Sequence, residues 1–351
     1  MQYKLETNEA IAIMVNLLCN KFFVLAPLYM KYAAGNAIFI MMVISFIIAF
    51  VIWQIYISSL DKNTDLLDLV NNNFVKTFVG GIIIITITIV TTLTLRQYGE
   101  GIKVMTLKKT PVFFIIGIFA VAMLIGASCG LRSIGKTSSF FIPIIYILAI
   151  SLVIATIKPS DLYNFFPVMG KGFIYIAGKS IMMLSMLFEI LLLFFMPPLL
   201  RNPNDFKRLG KHTFFWTFIG FCIIGGIYGI SSLGSNTQSY EPFFRMIKQI
   251  NLGNFLQRCD SIFLILYCIS AFLYLSTMLF FITHIASKAF KINDRKALVT
   301  PIGFIITTAA SVNIIEQYMY EIVGKANYFL WIAAFILPAT ILFFYKLRSK
   351  A

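Results

Sequence analysis

Charge is what this chain has least of. Only 12% of its 351 residues are Asp, Glu, Lys or Arg, about half the share of a soluble globular domain. Too little polar surface remains to coat a water-soluble fold, which excludes most soluble enzymes and disordered chains. Histidine is limited to His212 and His284, too far apart in sequence to suggest a metal cluster. The cysteines (Cys19, Cys129, Cys222, Cys259 and Cys268) form no CxxC pair and no metal-ligand spacing. That excludes a zinc module or a disulfide framework, and thiols in apolar runs behave as small hydrophobes. Also missing are a phosphate-binding glycine loop, a nucleophile elbow and a paired acid–base constellation. No metal, no cofactor and no enzymatic activity are expected.

What the chain has in excess is apolar length. It is 59% hydrophobic, with a mean hydropathy of +0.87, and so calls for a lipid solvent. A bilayer core of ~30 Å takes about 20 helical residues per crossing, and this criterion finds about ten candidate spans. They lie near 9–32, 36–58, 75–95, 111–129, 138–157, 173–197, 213–233, 261–287, 298–318 and 327–345. The first begins near Glu9 with no small-residue cleavage site after it, so it reads as a mature span. The third contains an Ile-Thr alternation that would pass for a strand in water. Lipid leaves an unpaired strand unsatisfied, so helix is expected. The predicted fold is therefore all-α and integral to the membrane, one polytopic domain of two five-span halves (about 9–157 and 173–345).

The net charge of +15 comes from 29 Lys and Arg against 14 Asp and Glu. These cations stand between apolar runs without a nucleic-acid motif, so they read as orientation signals and attraction to anionic lipid. The larger share falls on the N-terminal side of an even number of spans, which predicts both termini in the cytoplasm. The longest loop, about 234–260, is amphipathic and is expected to lie at the interface or cap the bundle. The 59–73 loop, with Asp61, Asp65 and Asp68, reads as a polar connection.

An ionisable group inside a span is costly and marks a candidate site. Lys21 lies beside Asn20 in span one, six residues before Pro27, and Glu189 lies in span six before Pro197-Pro198. Lys179 and Glu316 lie nearer the ends of their spans. Spans one and six occupy matching places in the two halves, each with a polar interruption followed by proline. Inverted-repeat transporters place substrate at such broken helices, where freed backbone groups and helix ends face a cavity. Two other readings remain open: Lys21 and Glu189 pair to hold the bundle together, or Lys21 snorkels to the interface. Polar groups of spans three and eight can line the same cavity. Thr88, Thr91 and Thr92 share one helical face, and Ser270 and Tyr274 share another. The candidate ligand-binding set is Asn20, Lys21, Thr88, Thr92, Phe188, Glu189, Ser270 and Tyr274.

An ordered set of segments carries a resemblance. Span one ends in Leu25-Ala26-Pro27, and Gly130-Leu131-Arg132-Ser133-Ile134-Gly135-Lys136 precedes span five. Asn164 to Gly172 leads into span six, Phe188-Glu189 stands before Pro197, and Leu256 to Phe263 opens span eight. In these the chain resembles the endospore germination permeases, the membrane B subunits of nutrient germinant receptors. The resemblance implies the amino acid–polyamine–organocation transporter fold, with inverted repeats, broken helices one and six, and a site between spans one, three, six and eight. It implies a receptor for a small germinant, typically an amino acid, in the inner membrane of the spore, beside an A-type membrane subunit and a C-type lipoprotein. The sequence departs from the family at Arg132, where an acid is usual, and at Asn20-Lys21, where related transporters have glycine-rich breaks. A proton-coupled amino-acid transporter is the competing expectation.

Overall fold

The computed structural model describes residues 4–32, 37–57, 64–156, 166, 172–230, 259–312 and 329–348. Among them there is no strand, only an isolated bridge between Leu5 and Leu200. The helices are α1 (Thr7–Tyr32), α2 (Ile38–Ile57), α3 (Asn73–Met105), α4 (Val112–Cys129), α5 (Leu131–Thr156) and α6 (Phe173–Met183). After the single-turn α7 (Ile190–Leu193) come α8 (Phe206–Ile230), α9 (Cys259–Ala289), α10 (Arg295–Ser311) and α11 (Leu337–Arg348). A π-helical turn, Ile332–Ile336, leads into α11. Among the described residues, six helices are long and apolar enough to cross a membrane: α2, α3, α4, α5, α9 and the α11 segment with its π turn. Residues 234–258 of the amphipathic loop, Glu316 and the side chain of Lys21 lie outside the described residues.

The outer surface is apolar. Ile118, Ile125, Phe140, Ile147, Ile154, Phe304 and Phe344 are exposed on four different helices. In water such faces would demand a partner, whereas in lipid they are solvated by hydrocarbon. The interior holds the polar groups instead, including Asn16, Asn20, Thr94, Arg96, Glu189 and Ser270. The layout is that of a membrane bundle.

α9 is the central helix, packed against α1, α3, α4, α5 and α10. Small residues allow the close approaches, as expected where apolar area alone does not drive association. A Cβ at Gly126 of α4 would collide with the Ser276 side chain of α9, and one at Gly210 of α8 with Trp53 of α2. Gly130 serves another purpose. It is the only residue between α4 and α5, and its φ of +91° lies where side chains are strained.

The structure differs from the sequence expectation in several places. α3 runs to Met105, 33 residues in all, or about 50 Å at 1.5 Å per residue. The length criterion stopped it at Arg96, taking that cation for a loop residue. Inside α3, however, Arg96 pairs with Glu100 at 2.6 Å and donates to the carbonyls of Ala310 and Val312 at 3.3 and 3.1 Å. With those partners a buried guanidinium is tolerable. α5 starts at Leu131, several residues early, because Gly130 makes the turn alone. The break expected in span one is not there: α1 is one helix through Asn20, Lys21 and Pro27.

Candidate functional site

Span six is interrupted where Glu189 predicts it. After α6 the chain tightens into a 3-10 turn, Leu184–Leu187, and i→i−3 bonds continue through it. Phe188 N–H donates to Ser185 at 3.3 Å, Leu191 to Phe188 at 3.0 Å and Leu192 to Glu189 at 2.9 Å. A 3-10 stretch inside a span is geometrically poorer than α-helix and often marks a hinge. Pro197 and Pro198 lack N–H groups, which prevents a return to helix and leaves a 3-10 turn, Pro197–Leu199. Every residue from Met183 to Pro197 is buried.

Glu189 therefore projects from irregular backbone in the protein interior, with no exposed surface. The Tyr274 hydroxyl of α9 donates to its Oε1 at 2.7 Å. One turn earlier on α9, Ser270 meets α1. Asn20 donates through Nδ2 to the Ser270 carbonyl at 2.7 Å and to its hydroxyl at 3.0 Å. The Ser270 hydroxyl in turn donates to Asn16 Oδ1 at 2.8 Å. Asn16 and Asn20 are one turn apart on α1, as Ser270 and Tyr274 are on α9, so two i,i+4 stripes face each other. Tyr98 of α3 closes the set by donating to Asn20 Oδ1, and its ring stands edge-on to Tyr267 at 5.1 Å. Thr94, one turn before Tyr98, reaches the Tyr274 hydroxyl.

Of the residues expected from sequence, Asn20, Glu189, Ser270 and Tyr274 are thus brought together by α1, span six and α9. Phe188 is fully buried beside Glu189. Lys21 follows Asn20 on α1, and a Lys21–Glu189 approach falls outside the described side chains. Thr88 and Thr92 are not brought in. Thr92 donates to the Thr88 carbonyl at 2.8 Å, and both lie one and two turns before Arg96, on the side of α3 that meets α10. Thr91, though buried, likewise bonds back to the Ile87 carbonyl at 2.7 Å.

Sequence reasoning missed Asn16, Thr94 and Tyr98. Asn16 carried a usable signal, being the i−4 partner of Asn20. Tyr98 was hidden because span three had been ended before it.

A buried carboxyl, amides, a serine and two tyrosyl hydroxyls on four crossing elements can hold a small polar molecule or a proton. They contain no nucleophile–base pair. Among the described residues no group of His, Cys, Asp and Glu could hold a metal.

The spore germination protein family model, described as a permease family, matches residues 4–318. The chain belongs to the spore germination permease family. A comparison with curated proteins found no match. The family and the apolar helices together make this a membrane protein connected with spore germination.

Proposed function

We propose that this germination permease is a non-enzymatic receptor subunit. It binds a small nutrient germinant, an amino acid by preference, at the Asn20–Tyr98–Glu189–Ser270–Tyr274 cluster. The observation that carries the reading is Glu189: a fully buried carboxyl where the α-helix of span six gives way to tighter i→i−3 turns, hydrogen-bonded across to Tyr274. Holding a carboxyl there costs stability, and such a cost is characteristic of functional positions in membrane proteins. An amine would meet Glu189, and a carboxylate would meet donors from Asn20 and Tyr98. These groups already bond one another, so a ligand must exchange bonds and hence move helices. A ligand shifts the bundle only by its differential affinity for two arrangements, and the 3-10 segment of span six is the element with a ready alternative. The shift would pass to an A-type membrane subunit and a C-type lipoprotein in the spore inner membrane, with both termini cytoplasmic.

Spores carrying Glu189→Gln or Tyr274→Phe test this. The reading expects intact protein levels with a nutrient response reduced at least about tenfold, the loss of one charge-assisted hydrogen bond. An unchanged response in both variants would overturn it.

One observation favours a second reading. A buried carboxyl with a tyrosine partner can carry a proton, as a proton-coupled amino-acid transporter requires. Concentrative uptake of labelled amino acids into proteoliposomes, driven by a proton gradient, would establish the transporter in place of the pure receptor.

A further inference from the structure

A cavity separate from the cluster lies on the outside of the bundle. It is a cleft of about 470 Å³ between α1, α5 and α8, within the ~300–1,000 Å³ range of small-ligand sites. Its ends differ chemically. α1, α5 and α8 begin on the same side of the bundle: Leu5 and Glu9 pack on Gly135, and Thr7 bonds Asp205 at 2.8 Å. At that side the cleft is lined by Asn8, Ser139, Arg208 and His212. Two to three turns along the same stripes, the lining is Val15, Ile147, Ile150, Trp216 and Ile219. A polar mouth thus continues into a long apolar slot open to the lipid side.

The mouth is cationic. Lys136 precedes Ser139 by three positions on α5, which puts it on the cleft stripe of that helix; it, Arg208 and Lys4, which stands just before α1, are all exposed. The acids of this corner are engaged otherwise. Glu6 pairs with Arg201 at 3.4 Å, Asp205 accepts from Thr7, and buried Glu9 accepts from the Glu6 N–H at 3.0 Å. Three helix N-termini on this side add partial positive charge. The back wall is fixed, because the Tyr146 hydroxyl donates to the Trp216 carbonyl at 2.7 Å and touches Cys19 Sγ at 3.4 Å.

We propose that this cleft is a binding site for one anionic phospholipid of the surrounding bilayer. Its phosphate lies among Lys136, Arg208 and His212, and an acyl chain lies along Ile147, Ile150 and Trp216. Positive mouth, apolar slot and lipid-side opening together fit that molecule. A zwitterionic lipid lacks the net charge, and a soluble phosphate has no use for the slot.

Trp216 reports occupancy, since brominated acyl chains quench tryptophan on contact. Full-length protein is reconstituted in phosphatidylcholine containing increasing brominated phosphatidylglycerol, or brominated phosphatidylcholine in parallel. Half-maximal quenching of the component removed by Trp216→Phe is expected at a mole fraction at least about fivefold lower for the anionic lipid, the worth of about one near-surface cation. In Lys136→Ala/Arg208→Ala the two curves should converge, with circular dichroism unchanged. The equally charged control Lys108→Ala/Lys109→Ala, on exposed residues far from the cleft in sequence, should keep the preference. Coincident curves in the wild type mean annular lipid only, and overturn the site. A preference surviving the cleft variant, or lost equally in the control, means bulk charge attraction and overturns it too.

Discussion

Replacing Lys288 with methionine should unbalance the most highly charged contact among the described residues. Lys288, in the last turn of α9, donates to Asp65 Oδ2 and Asp68 Oδ2, each at 2.5 Å. Lys76 of α3 reaches Asp68 at 3.4 Å. The Asp65 side chain has no exposure while that of Lys288 keeps 26%, so the variant leaves a buried carboxylate facing a thioether. Breaking a buried pair costs about 3–5 kcal/mol, and the exposed end of Lys288 argues for the lower figure, about 3 kcal/mol. For a chain of this size that is roughly 5 °C in Tm. Asp65→Asn should remove part of the penalty, and the double variant should show at least about 1 kcal/mol of coupling.

The effect should also depend on pH. Burial pushes the Asp65 carboxyl above the usual carboxylate range, against the charge and hydrogen bond of Lys288. Asp68 is held below that range: burial opposes this, but the Lys288 hydrogen bond and charge prevail. In the wild type, stability from Asp68 is present above its unfolded pKa and lost as pH falls through its lowered folded value. Asp65 works oppositely, its folded state favoured by protonation. Without Lys288 the Asp68 contribution goes and Asp65 rises further, so the deficit of the variant should shrink as pH falls from 7 to 5. Apparent Tm by size-exclusion of heated detergent samples measures both. A deficit under about 1 kcal/mol, or one that grows on acidification, would refute the reasoning.

Three further substitutions test the fold. Gly130→Ala places a methyl at a φ of +91° and should cost about 1–2 kcal/mol in the same assay, whereas Gly117→Ala, with open space around it, should be neutral or stabilising. Arg96→Met should cost about 3–5 kcal/mol by leaving Glu100 unpaired, and adding Glu100→Gln should recover part of the loss. Asn20→Leu leaves the Tyr98 hydroxyl and both Ser270 groups without Asn20 and should cost about 1–3 kcal/mol, read as lower Tm; no change would mean the α1–α9 bonds carry little.

Much of the architecture was legible because a bilayer imposes length and composition on helices. α2, α4 and α9 fall within a few residues of expectation. The interruption of span six was legible too, since an acid and a proline pair inside an apolar run leave few alternatives. The same logic failed for span one. Asn20 bonds a neighbouring helix instead of freeing its own backbone, and Pro27 is accommodated within α1. Thr88 and Thr92 are not drawn to the Glu189 cluster because a shared face does not say which neighbour it meets, and the Thr92 hydroxyl bonds locally, to the Thr88 carbonyl. Arg96 and Lys288 were read as orientation signals, yet Arg96 pairs with Glu100 one turn on and reaches the Ala310 and Val312 carbonyls, and Lys288 answers Asp65 and Asp68, partners that tertiary structure supplies.

The central claim is that a small nutrient occupies the Glu189 cluster. Its most direct test is a thermal-shift titration of the purified protein with individual amino acids, repeated on Glu189→Gln. At a hundredfold excess over Kd, a bound ligand adds about 2.7 kcal/mol to wild-type stability. The account predicts that at least one amino acid raises Tm in the wild type, and that Glu189→Gln, folded and otherwise stable, loses that rise. A ligand that stabilises both proteins equally would contradict it.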